Sequence, residues 1–430
     1  WHENKIRDNW AFGGFDPAGF VCSIPKPGWS HEMAVDIVLD DAETVIQDVM
    51  LNFRIPNNLT GTIPPEIGYI DVITAISLET QRGLYGFLPD TISNPPNLKS
   101  LQILFAGPDF GGVLPSSLFT HPSLKYIGFQ HNEGALEFPP TVQKKSGRSV
   151  LLNLILKSTG LFGTIPSFIA EHTSITTLDL NNNNLEGSVP DSLGNLTSVV
   201  HFDLHDNNLT GTLPRSLGQM SDLTAMVLGK NNFGGPLPQW LNNLKQLQLL
   251  DLSYNKFEGG MPASFSQLSS LEHISLQHNR NLNGSISALE GLDSLSSLLL
   301  YSNDFSSTIP GELFSNSSGQ IVVDLGQNNF TGKLPPTFSH LASNTSYLSI
   351  MGNNFDADAV DGVLCEQVNA LFADCSSCPC CIFCCGAGSA PRENDHSCHF
   401  NLDFYKLVGL ECGAWWTTCH VSHYDPLPVG

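Results

Sequence analysis

The chain rewrites one line of sequence every 24 or 25 residues. Asn183, Asn207, Asn231, Asn255, Asn279, Asn303, Asn328 and Asn353 are separated by steps of 24 five times and then 25 twice. Each stands in the same frame, LxxLxLxxNxLxGxIP. One step back from Asn183 is Thr159, in "LLNLILKSTGLFGTIP"; looser copies such as "LKYIGFQHNEGALEFPP" and "ITAISLETQRGLYGFLP" extend the pattern toward the N-terminus. About 13 turns fit between Val45 and Val363. A repeat of this length is one supersecondary unit that cannot bury its own apolar face, so the units must stack and share a core. A chain of 430 residues would otherwise suggest two or three globular domains; stacking overrides that expectation.

The spacing assigns a job to each slot. In LxL the alternate side chains of a short strand point to one side. Leu178, Leu180, Leu204, Leu228, Leu252, Leu276, Leu300 and Leu325 are therefore expected in one continuous core. The Asn falls where the strand ends and the chain bends inward, so buried backbone groups there need partners. A side-chain amide both donates and accepts, and stacked Asn residues would form a ladder between turns. The Gly of GxIP supplies an unusual backbone angle, and the Pro is expected to halt any helix.

These residues resemble the plant-type leucine-rich repeat of receptor-kinase ectodomains and polygalacturonase-inhibiting proteins, over roughly three quarters of the chain. The resemblance implies an α/β solenoid: a right-handed leucine-rich repeat superhelix with a parallel β-sheet on its concave face and a second short strand near LxGxIP. It divides the chain into an N-terminal cap (1–44), the solenoid (45–363) and a cysteine-rich C-terminal cap (364–430). "RDNWAFGGFDPAGFVCS" is similar to the family's N-terminal cap, which usually carries two cysteines; only Cys22 is present, so the cap is read as incomplete or trimmed. The family implies protein, peptide or glycan ligands.

Composition narrows the setting. Nineteen basic residues face 41 acidic ones, a net charge of −22, which argues against nucleic acid and anionic membrane surfaces as partners. No apolar stretch approaches the 18 residues of a membrane span. The first residue is Trp1 rather than Met, which suggests removal of a signal peptide or trimming. Sequons stand at Asn58, Asn195, Asn208, Asn283, Asn316, Asn329 and Asn344. "NNLTG" is how this repeat is spelled in any case, but Asn208 follows the inward Asn207 and should point outward, accessible to a glycan. A secreted, extracellular glycoprotein is the expectation.

Ten of the 11 cysteines lie in the tail: Cys365, Cys375, Cys378, Cys380, Cys381, Cys384, Cys385, Cys398, Cys412 and Cys419. In a reducing cell the CxxC pairs, with His396, His399, His420 and His423 nearby, would suggest zinc. With the sequons, disulfides are the preferred reading. The tail is similar to those of secreted leucine-rich repeat proteins of algae such as diatoms, and it would cap the apolar face of the last turn. Cys365 and Cys375 flank an expected helix and could pair across it. Cys22 is too far away to join them: turns advance about 4.8 Å each, so the two ends are roughly 60 Å apart. It is a free thiol, is bound to another chain, or has lost its mate upstream.

The x positions of the repeat form columns on the sheet face opposite the core. One reads Asp179, Asp203, Val227, Asp251, Ser275, Leu299, Asp324; beside it lie His201, His205, Asp206, Lys230, Tyr254, His273, His278 and Tyr301. Neighbouring Asp and His could hold a metal or exchange protons. A solvated polar face is the first expectation, and a partner surface the second, with Asp179, His201, Asp203, His205, Asp206, Lys230, Asp251, Tyr254, His273, His278 and Tyr301 as its candidates. No metal, cofactor or enzymatic activity is expected, because no nucleophile has an adjacent base and no phosphate or dinucleotide fingerprint appears in context. "DADAVDG" at 356–362 misses the calcium-loop spacing and reads rather as a helix N-cap. The favoured function is recognition of a protein, peptide or glycan; the alternative is a structural subunit of an extracellular assembly of copies of itself, with Cys22 near a contact. The mixed Asp/His columns lack the flat Thr or Asn array of the family's ice-binding members.

Overall fold

The computed structural model describes residues 60–360, except 133, 144–148, 317–319 and 341–344, together with Leu364 and strands at Ala11–Phe12, Phe20–Ser23, Met33–Leu39, Ile46–Phe53, Leu371–Asp374 and Cys384–Cys385. Each LxL segment forms a short strand, among them Thr177–Asp179, His201–Asp203, Ala225–Val227, Leu249–Asp251, His273–Ser275 and Ser297–Leu299. Successive strands pair in parallel and in register, so that Leu178, Phe202, Met226, Leu250, Ile274, Leu298 and Val323 stand in one row. The pairing is continuous from Ile46–Phe53 to Leu371–Asp374. The eight repeat leucines expected in the core are all fully buried in a single apolar cluster.

Strand pairing also extends upstream of residue 44. Met33–Leu39 pairs antiparallel with Ile46–Phe53, and Phe20–Ser23 pairs antiparallel with Met33–Leu39. The expected N-terminal cap thus contributes strands to the solenoid's own sheet. Cys22 lies in register with Phe12 on one side and Met33 on the other.

Each LxGxIP segment contributes the second strand, as in Asn184–Gly187, Asn208–Gly211 and Asn232–Pro236, again paired in parallel turn by turn. Its Gly sits in the left-handed region, φ 78° at Gly187 and 83° at Gly211, which L side chains rarely adopt. The Pro behaves otherwise than expected. It does not end a helix; it stands in extended backbone just before a short 3-10 helix, as Pro190 does before Asp191–Asn195 and Pro214 before Arg215–Gln219. Its locked φ suits that entry, and its missing N–H is not needed there. The helix then turns one apolar residue inward: Leu193, Leu217, Leu241, Phe265.

The asparagine ladder is present. In Asn231, Nδ2 donates to the carbonyls of Leu204, Leu228 and Gly229, and Oδ1 accepts the Leu209 N–H at 3.0 Å. Asn207 and Asn255 repeat the pattern one turn to either side. Where the slot holds Thr159, its hydroxyl donates to Asn183 Oδ1 at 3.2 Å. Asn132 continues the ladder upstream, taking the Ala106 N–H.

Asn195, Asn208, Asn283, Asn316 and Asn329 are exposed, whereas Asn58 and Asn344 lie outside the residues whose side chains are described. Most of the cysteine-rich tail also lies outside, and with it the expected disulfides. The expected helix before Cys375 is in part a strand: Leu371–Asp374 pairs with Thr345–Ser349. A short apolar run cannot be assigned by periodicity alone, and here the open sheet edge captured it. In "DADAVDG" residues 357–358 form a turn, Leu364 just beyond the stretch is helical, and Asp358 pairs with Lys333.

Candidate functional site

Alternation along each strand places the Asp column on the sheet face away from the leucine core. Register aligns Asp179 with Asp203, then Val227, Asp251, Ser275, Leu299 and Asp324. The expectation of a solvated face fails here. Asp179, Asp203 and Asp251 are 1%, 3% and 1% exposed. Strands about 4.8 Å apart leave little room between columns, and the larger neighbouring side chains cover the short carboxylates. These carboxylates also have a local task. Each Oδ1 accepts the backbone N–H two residues on: Asn181 for Asp179, His205 for Asp203, Ser253 for Asp251 and Gly326 for Asp324. Asp recurs in this column because it closes the bend that leaves the strand.

The second carboxylate oxygens differ. Asp203 Oδ2 accepts from Asn181 Nδ2 at 2.9 Å. Asp251 Oδ2 stands 3.9 Å from His205 Nδ1, two turns away. Gly229 makes that approach possible, because a Cβ there would lie 2.9 Å from Asp251 Oδ2 and 3.0 Å from His205 Nδ1. Asp179 Oδ2 is buried without a hydrogen-bond partner. Burial raises the pKa of Asp179 and Asp203 to about 6, with Asp203 adding to the rise at Asp179 and Asp251 to the rise at Asp203. Burial likewise raises Asp251, against hydrogen bonds from Ser253 and the pull of His205. His201 moves the other way, its pKa lowered by burial.

Asp324, pushed up to about 6 by burial, offers a clean test of these environments. Below about pH 4 it is protonated folded or unfolded, and contributes no pH dependence. Between about pH 4 and 6 the unfolded chain releases its proton first, so folding loses stability as pH rises through that window. Asp324→Asn keeps the acceptor for Gly326 and removes the charge. The variant is expected to gain about 2–3 kcal/mol over wild type at pH 7, and the gain should vanish near pH 4. Denaturant unfolding of both proteins across this range measures it; a difference independent of pH would refute the assignment.

Farther along, the same face becomes aromatic. Tyr254 stacks on His278 with ring centroids 4.2 Å apart and planes 27° apart, and His278 meets Tyr301 edge-on at 5.2 Å. Tyr254 and His278 belong to the row one residue before the ladder Asn, with Asp206 and Lys230. All four are left-handed, φ 50° to 57°. Such a backbone is unfavourable for these residues. It is held by each N–H donating to the following turn: Asp206 to Gly229, Lys230 to Ser253, Tyr254 to Gln277 and His278 to Tyr301. The forced bend presents the row along one edge of the face, with Asp206 and Lys230 exposed and Tyr254 and His278 half-buried. Gly326 gives Tyr301 its place, since a Cβ there would stand 3.0 Å from the tyrosine ring. Burial and then Asp324 push the Tyr301 hydroxyl to about 12, so it remains a proton donor at neutral pH.

The structure thus divides the candidates from sequence into groups. Asp179, His201 and Asp203 converge; His205 meets Asp251; Tyr254, His278 and Tyr301 form one stack. His273 stands apart, its pKa lowered by burial and its Nδ1 3.5 Å from Ser296 Oγ. An additional feature is an apolar cluster of Val227, Leu249, Leu299 and Val322, with Ala225 and Tyr347 against it. The runs "LQLLDL" and "IVVDL" carry its signal, but a continuous apolar run does not by itself show which side chains face the core.

Comparison with known proteins agrees with this architecture. Leucine-rich repeat family models match residues 221–280, and 174–196, 198–220 and 321–341. The plant peptide hormone receptor RGFR1, solved in complex with RGF2, is 28% identical with a TM-score of 0.65, covering 76% of this chain and 55% of its own. The Arabidopsis receptor kinase HAESA, solved with the peptide hormone IDA and the co-receptor SERK1, is 24% identical with a TM-score of 0.65, covering 79% of this chain and 56% of its own. A leucine-rich repeat protein of Leptospira interrogans shares the fold at 23% identity and a TM-score of 0.51, covering 72% of this chain and 80% of its own. The chain spans a little over half the length of these two receptors. No curated protein matches it. No helix among the described residues is long and apolar enough to cross a membrane.

Proposed function

We propose that this chain, a leucine-rich repeat solenoid, is a non-enzymatic extracellular recognition module that binds a peptide or protein partner on the sheet face away from its core. The observation that carries this reading is the Tyr254–His278–Tyr301 stack beside the exposed Lys230. Half-buried aromatic rings with polar tips supply rigid contact area at low entropic cost, and a nearby cation orients an acidic or C-terminal group of the partner. The likeness to a plant receptor solved with a peptide hormone supports a peptide as the ligand class. Glycans are the other class that aromatic faces accommodate.

Peptides selected from a displayed library against the immobilised protein provide the test. Tyr254→Ala combined with Tyr301→Ala is expected to weaken the selected peptides at least tenfold, the effect of losing about 1.4 kcal/mol. Lys245→Ala, on the exposed helical side, should leave them unchanged. Binding indifferent to the tyrosines, or sensitive to Lys245, would place the partner elsewhere.

A further inference from the structure

We propose that Asp179, His201 and Asp203 form a binding site for one divalent first-row transition-metal ion. The ligand atoms of the three residues all lie within 4.8 Å of one another, with His201 Nε2 3.9 Å from Asp203 Oδ2. Ligands about 2.0–2.2 Å from an ion stand about 3 Å apart when adjacent and about 4.2 Å apart when opposite, so small side-chain rotations close the site. They come from consecutive strands in register, Thr177–Asp179 and His201–Asp203, which fixes their backbones relative to one another.

The second observation is Asp179 itself. It is 1% exposed, and its Oδ2 is buried with no hydrogen-bond partner. The bend explains Oδ1, which holds the Asn181 N–H; it leaves Oδ2 unexplained. A buried carboxylate oxygen without a partner is costly, and a second buried carboxylate beside it raises that cost. An ion bound to both removes it. Asn181 Nδ2, donating to Asp203 Oδ2, orients that carboxylate and still leaves the oxygen a lone pair. Lys157, which exerts a weaker electrostatic influence on both carboxylates than burial does, opposes a cation without matching their combined charge.

The donor set selects the class of ion. Two carboxylates and an imidazole suit Mn, Fe, Co, Ni or Zn, whereas Ca and Mg prefer all-oxygen sites. Three protein donors leave the remaining positions to water. This site is independent of the aromatic stack, so peptide recognition and metal binding stand or fall separately.

Mn²⁺ is the probe of choice, because sulfur ligands, including any free cysteine, compete poorly for it. Titration of the full chain followed by electron paramagnetic resonance is expected to show one tight Mn²⁺ per chain, with nitrogen coupling from an imidazole in the electron spin echo. Asp179→Asn and His201→Gln should each lower the affinity at least tenfold, and His201→Gln should abolish the nitrogen coupling. Unaltered binding in both variants would overturn the proposal. Should either variant fail to fold, the wild-type spectrum decides alone: no bound Mn²⁺ at millimolar concentration, or bound Mn²⁺ without nitrogen coupling, overturns it.

Discussion

Asn231→Ala is expected to cost about 3–6 kcal/mol, more than its single amide would suggest. The side chain is 7% exposed and makes four hydrogen bonds to backbone. Their partners are not equally dependent on it. Leu204 and Leu228 carbonyls keep a second donor, from Asn207 and Asn255. The Gly229 carbonyl keeps the Asp206 N–H. The Leu209 N–H has Asn231 Oδ1 as its acceptor and would be left buried and unpaired. One orphaned donor costs about 1–3 kcal/mol, and three lost bonds add about 0.5–1.5 each. Asn231→Asp sharpens the test, because it keeps an acceptor for Leu209 but turns a carboxylate oxygen toward three carbonyls. It should be at least as damaging as Ala. Equilibrium denaturation of both variants measures the cost; a loss below about 1 kcal/mol for Ala would mean that the ladder contributes little.

The repeat period made part of this fold legible in the sequence. Asn231 could be placed, and its hydrogen bonds anticipated, because a fixed period fixes which groups stack. The leucines followed from the same period. The Asp column did not, although its residues were identified. Alternation shows that Asp203 faces away from the core, but not that neighbouring turns cover it, since depth depends on the size of side chains one and two strands away. Gly229 illustrates this. It lies one turn after His205 in the same slot, as Gly326 lies one turn after Tyr301, and each small residue admits its large neighbour. That pairing is written in the sequence but acquires meaning only once the turns are in register. The left-handed conformation of Lys230, Tyr254 and His278 has no residue-level signature, because the following turn imposes it through hydrogen bonds. The tail behaves differently again: ten cysteines without a period specify no neighbours.

The second large effect is expected from Leu252→Ala, at about 2–5 kcal/mol. Leu252 is fully buried at the centre of the array, between Leu228 and Leu276 of the adjoining turns. Its backbone is tied on both sides: its N–H donates to Ser275, and the Asn255 and Asn279 side chains donate to its carbonyl. That scaffold restrains collapse into the space vacated by the side chain, which pushes the cost toward the upper end of the range. Where the loss is felt follows from one-dimensional stacking, in which each turn touches only its neighbours. Amide exchange should therefore accelerate most at Leu228, Leu252 and Leu276 and return toward wild type several turns away, near Ile103 or Ile350. A uniform acceleration along the chain would indicate that the solenoid opens as a single cooperative unit. A cost below half a kcal/mol would instead contradict the burial of Leu252 and with it the alignment of every turn, because a shift of one residue exchanges the core leucines for the Asp column.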